Sequence, residues 1–89
     1  MFGRFASMRD TYLRENKPVM YEQMLREGRL RLHLEETDVK ARQMREQLIE
    51  QMLEFNPAPE RKNQMEWVQH MNSLKHTVEE IVFAELIYT

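Results

Sequence analysis

Apolar residues recur along this chain at intervals of three and four, in four runs separated by proline, glycine and asparagine. That period is the signature of amphipathic helices. The first run spans about 4–15, with Phe5, Met8 and Tyr12 on one face. Asn16-Lys17-Pro18 interrupts it, because proline cannot continue a helix but suits the first turn of the next. The second run, about 19–27, places Tyr21, Met24 and Leu25 together and stops at Gly28, which fits the left-handed position after a helix.

The third run, about 29–55, opens with a strictly alternating stretch, Arg29-Leu30-Arg31-Leu32-His33-Leu34, that in isolation reads as a strand. Leu30 and Leu34 nevertheless begin a heptad-like stripe through Thr37, Ala41, Met44, Leu48, Met52 and Phe55, and no second strand is on offer for pairing. The stretch is therefore expected to be helical. Asn56-Pro57-Ala58-Pro59 is the sharpest break, and a short link between long helices folds them back antiparallel.

The fourth run, about 59–88, carries Trp67, Met71, Leu74, Val78, Ile81, Glu85 and Tyr88 at alternating spacings of four and three, widened by Val68, Val82 and Leu86. Its end, Ile81 to Tyr88, is apolar on nearly every side and so calls for cover all round. The N-terminal helices or a second copy of the chain would supply it. Glu79, Glu80 and Glu85 near that end oppose the helix dipole, which favours cations there. Partners among the N-terminal arginines would resolve the conflict. The expected fold is all-α: one domain, 1–89, with two short N-terminal helices packed on a long antiparallel helical hairpin.

Composition agrees. With two glycines, three prolines and 31% charged residues, the chain favours solvated helices over a turn-rich sheet. It has 89 residues and no cysteine, so no disulfide or thiolate metal site supports its small core. The net charge of -2 conceals a segregation. Residues 1–31 carry seven bases and four acids, +3; residues 32–89 carry six bases and eleven acids, -5. No leader-like apolar segment and no run of membrane-spanning length is present, so the expected setting is cytoplasmic, away from any membrane.

Candidate chemistry is sparse. Ser7 and Ser73 belong to no recognisable Ser-His-carboxylate order, and Gly3 and Gly28 make no phosphate loop. His33 with Glu36, and Glu66 with His70, share helix faces, but a di-iron bundle needs a second motif and inward glutamates. The chain is thus expected to be no enzyme, with no cofactor, metal or small-molecule substrate. Eight methionines supply soft apolar surface suited to cores and to protein contacts. The basic residues Arg4, Arg9, Arg14, Lys17, Arg26, Arg29 and Arg31 are the candidates for phosphate contacts, although a pI near 5.9 is low for a dedicated DNA binder.

Met65-Glu66-Trp67-Val68-Gln69-His70-Met71-Asn72-Ser73-Leu74, followed by Glu79-Glu80-Ile81 and Glu85-Leu86-Ile87-Tyr88, resembles the C-terminal signature of TnpV proteins, which are encoded by transposons and integrative elements. Tyr12-Leu13-Arg14-Glu15, Pro18, Tyr21, Leu25, Gly28, Leu30, His33-Leu34 and Ala41 extend the similarity over nearly the whole chain. The Asn-Pro-Ala-Pro link departs from the family's connection, which is usually richer in Thr, Glu and Lys. The resemblance implies a mobile-element accessory protein and carries over no catalytic residue. Trp67, Val68, Met71, Asn72, Glu80, Ile81, Leu86, Ile87 and Tyr88 are the candidate interface or core residues of that signature. Three roles stand open: an adaptor working by protein contacts, with a partner or as a homodimer; a DNA-binding factor in excision or transposition; or an inhibitor of a host or element enzyme.

Overall fold

The computed structural model describes residues 3–60 and 63–89 and is helical throughout its regular parts. Helix α1 is Arg4–Asn16, α2 is Pro18–Arg26, α3 is Leu30–Phe55 and α4 is Gln64–Val82. A π-helical turn, Phe83–Ile87, closes the chain. Among the described residues no strand occurs, and the alternating stretch at 29–34 forms the start of α3.

The breaks behave as their residues dictate. Pro18 occupies the first turn of α2, where its missing N–H costs nothing. Gly28 has a φ of 69°, so it takes the left-handed turn that a β-carbon would strain. The N-terminus of α1 is capped from a distance. The carboxylate of Asp38, on α3, accepts from Ala6 N–H at 3.1 Å. Gly3 permits this approach, since a β-carbon there would lie 2.6 Å from Asp38 Oδ1.

Two apolar clusters hold the helices together. Leu13, Met24, Leu30 and Leu34 join α1, α2 and the start of α3. Phe5, Ala41, Leu74, Val78, Val82 and Ile87 join α1, mid-α3, α4 and the π-turn. Thus α1 and α2 pack on α3, and α3 packs on α4, as expected. The hairpin runs antiparallel: Asn56 on its outgoing side meets His70, while Arg45, further back, meets Glu79.

Four expectations need correction. The buried face of α1 is Phe5, Ala6, Arg9 and Leu13, with Met8 and Tyr12 only half-buried. The fourth helix begins at Gln64, not Pro59; Asn63 caps it by accepting from Glu66 N–H, and of the expected opening turns residues 61 and 62 lie outside the described residues. Phe55 is 90% exposed and drops out of the core stripe, although α4 runs alongside at His70. The C-terminal segment is not covered on every side: Val82 and Ile87 are buried, but Ile81, Ala84, Glu85 and Tyr88 face solvent.

Candidate functional site

At the C-terminal end, the π-turn is built around one buried cation. Tyr88 N–H bonds Phe83 O at 2.8 Å, the five-residue closure that widens the helix. The turn drives Ile87 into the core at 0% exposure and lays the Tyr88 ring 5.6 Å from that of Tyr12, edge to face. Its last carbonyl would be an orphan. Arg9 reaches it: Nη1 donates to Ile87 O at 2.7 Å, and Nε donates to His33 Nε2 at 3.2 Å. Arg9 is only 6% exposed, so it serves the fold and is not presented to solvent. A guanidinium suits this position because its donors diverge in one plane and its charge favours a helix C-terminus. Since His33 Nε2 accepts, the imidazole is neutral. Burial, then the charge of Arg9, holds its pKa below the ordinary value.

Glu79 forms a second junction. Arg4 grips its carboxylate with two hydrogen bonds, at 2.8 and 3.0 Å, and stacks over the rings of Phe5 and Phe83. Arg45 Nε, buried and without a hydrogen bond of its own, faces the same carboxylate at 3.5 Å. The Arg4 hydrogen bonds above all hold the Glu79 pKa below the usual carboxylate range. The acid that opposed the helix dipole thus meets an N-terminal arginine, as the sequence suggested; Glu80 instead pairs with His76 on its own helix.

The remaining basic candidates lie on the surface. Arg14 pairs with Asp10, Arg29 with Glu27 and Arg31 with Glu35, while Lys17 and Arg26 have no ion pair among the described residues. They cluster around the α1–α2 end, away from Arg4 at the opposite end of α1.

Of the C-terminal signature, Ile87 is buried; Trp67, Met71 and Leu86 are half-buried; Val68, Asn72, Glu80, Ile81 and Tyr88 are exposed. His70 donates to Asn56 O at 3.0 Å, tying α4 to the end of α3. Among the described residues no group of three potential metal ligands gathers, and no helix is long and apolar enough to cross a membrane.

The far end of the hairpin differs from the rest. Among the described residues from 42 to 73 none is fully buried: Met44, Leu48, Ile49, Met52, Trp67 and Met71 are half-buried, the first four packed against the edge of the core. We call residues 46–73 the arm. Its tip bares Phe55 and Met65, the latter 72% exposed, and Val68 lines an open groove with Gln64, Met65 and Gln69. The arm lengthens the molecule to 54 Å against widths of 23 and 19 Å.

The family model described as transposon-encoded protein TnpV matches residues 1–87. The chain belongs to the TnpV family. Neither a curated protein nor a solved structure matches it. The TnpV signature therefore divides physically: its Glu-Leu-Ile-Tyr end is the π-turn that locks the fold, and its Trp-Val-x-x-Met-Asn part lies on the arm. Sequence reasoning missed Asp38 as a remote cap and Arg9 as a core residue. A signal for Arg9 existed, since it falls four residues from both Phe5 and Leu13, on one helical face.

Proposed function

We propose that this TnpV-family chain is a non-enzymatic accessory protein of its transposon, acting through protein contacts made by the arm. One observation carries the reading: the large apolar side chains described from 42 to 73 are at most half-buried, and Phe55, Met65 and Val68 are exposed. A helical hairpin stabilised by its own packing buries the seam between its helices, and an unfinished seam bordered by exposed apolar residues marks a protein-binding surface. The soft methionines Met44, Met52, Met65 and Met71 suit such a surface because they repack at little cost.

The DNA-binding reading has weaker support. Arg4 and Arg9 are taken up by Glu79, Ile87 and His33, and three of the other five candidates are ion-paired. The test is photocrosslinking in cells carrying the element, with benzoylphenylalanine placed at Phe55 or Val68 and, as control, at exposed Gln23 on α2. Discrete protein adducts from the two arm positions, and none from the control, are expected. Absence of adducts at both arm positions, together with a salt-sensitive shift of element-end DNA, would transfer the role to the basic end.

A further inference from the structure

We infer that the arm's occupant is a second copy of this chain, bound antiparallel so that the arm of each protomer lies along the α1–α2 end of the other. This rests on the reading of the arm as a protein-contact surface and names its partner.

Charge is the first observation. Residues 1–31 carry seven bases and four acids, +3. The arm, 46–73, carries Glu46, Glu50, Glu54, Glu60 and Glu66 against Arg61 and Lys62, -3. The stretch between them, 32–45, is neutral, with three of each sign. The remaining stretch, 74–89, packs beside α1 and carries Lys75 against Glu79, Glu80 and Glu85, -2. The core end as a whole is therefore +1, with its positive excess on α1 and α2, against -3 on the arm, and two rods side by side in opposite directions set these ends against each other. Parallel pairing would set like against like.

Apolar exposure follows the same division. Val19, Leu25 and Leu32 stand out of the basic end, and Phe55, Met65 and Val68 out of the acidic arm. Each end thus offers apolar residues within a charged surround of opposite sign to the other's. Because a two-fold pair uses both ends of both chains, one complementary contact is made twice and closes.

Area is the third observation. A compact monomer of this mass exposes about 5,600 Å², whereas this chain exposes 6577 Å². The excess, roughly 1,000 Å², compares with the roughly 800 Å² that each partner buries in a stable interface of standard size. The radius of gyration, 16.4 Å, likewise exceeds the roughly 12 Å of a compact chain this long.

The test is sedimentation equilibrium of the full chain, with two charge-reversed variants at exposed positions. Lys17→Glu/Arg26→Glu makes the basic end acidic without breaking an ion pair; Glu50→Lys/Glu54→Lys makes the arm basic. The wild-type chain is expected at twice 10.9 kDa, each variant alone should dissociate at least about tenfold more readily, and an equimolar mixture should recover the dimer, since each variant then meets its complement. Circular dichroism checks that both variants keep their helices. A wild-type chain that stays monomeric at high micromolar concentration overturns the inference, as does a mixture that fails to recover the dimer or an assembly that grows beyond two. If the wild type is monomeric while arm crosslinks to another protein persist in cells, the second copy is wrong and the protein-contact reading stands.

Discussion

Arg9 shows how much one side chain does here. It satisfies the last carbonyl of the π-turn and fixes the tautomer of His33, joining α1, α3 and the C-terminus. Replacing it with methionine keeps the bulk but leaves a buried carbonyl and a half-buried imidazole nitrogen unpaired, so thermal or urea unfolding should register a loss of about 1–3 kcal/mol. Lysine should not rescue it, because one ammonium cannot reach both acceptors in the guanidinium's geometry. Gly3→Ala should cost about 1–2 kcal/mol, since the added carbon displaces the Asp38 carboxylate that caps α1. His33 gives the fold an acid sensitivity. Its folded pKa lies below the unfolded value of 6.5, so between the two the unfolded chain binds the extra proton. Stability should be full above pH 6.5 and fall as pH drops below it. Glu79, depressed from 4.5, adds a second loss at still lower pH, as its carboxylate protonates and Arg4 loses its partner. A urea midpoint series across pH would see both, and His33→Gln should abolish the first.

At the scale of elements, the C-terminal segment separates two isoleucines that look alike in sequence. Ile87→Ala empties a fully buried site and should cost about 2–5 kcal/mol, whereas Ile81→Ala, on the exposed side, should change stability by about 0.5 kcal/mol. The four helices were legible because their apolar spacing and their breakers, Pro18, Gly28 and Asn56-Pro57, agree with one another. The π-turn was not, since an inserted residue in a helix leaves no periodic trace over five positions. Arg9 hid because a charged residue on an apolar face reads as an edge of the stripe. Phe55 misled for the converse reason: it keeps the stripe's spacing but turns to solvent, beside a helix that His70 ties to Asn56. The arm was half legible, as apolar spacing marks a seam but does not say whether one neighbouring helix is enough to close it.

The whole molecule is an elongated rod with a finished core at one end. The Arg9 and Glu79 junctions and both apolar clusters lie where α1, α2 and the π-turn cover the hairpin. Beyond them the arm has only its own two helices. Local opening is easiest where few groups are buried, and cover from a partner should suppress it. Hydrogen exchange of the purified chain, followed by mass spectrometry over a dilution series, tests that division most directly. In dilute solution the arm amides, 46–73, should exchange far faster than those of α1 and the first half of α3. Their protection should rise with protein concentration while the core stays unchanged. An arm as protected as the core at the lowest concentration would contradict the account, because it would mean that the hairpin finishes its own core and awaits nothing.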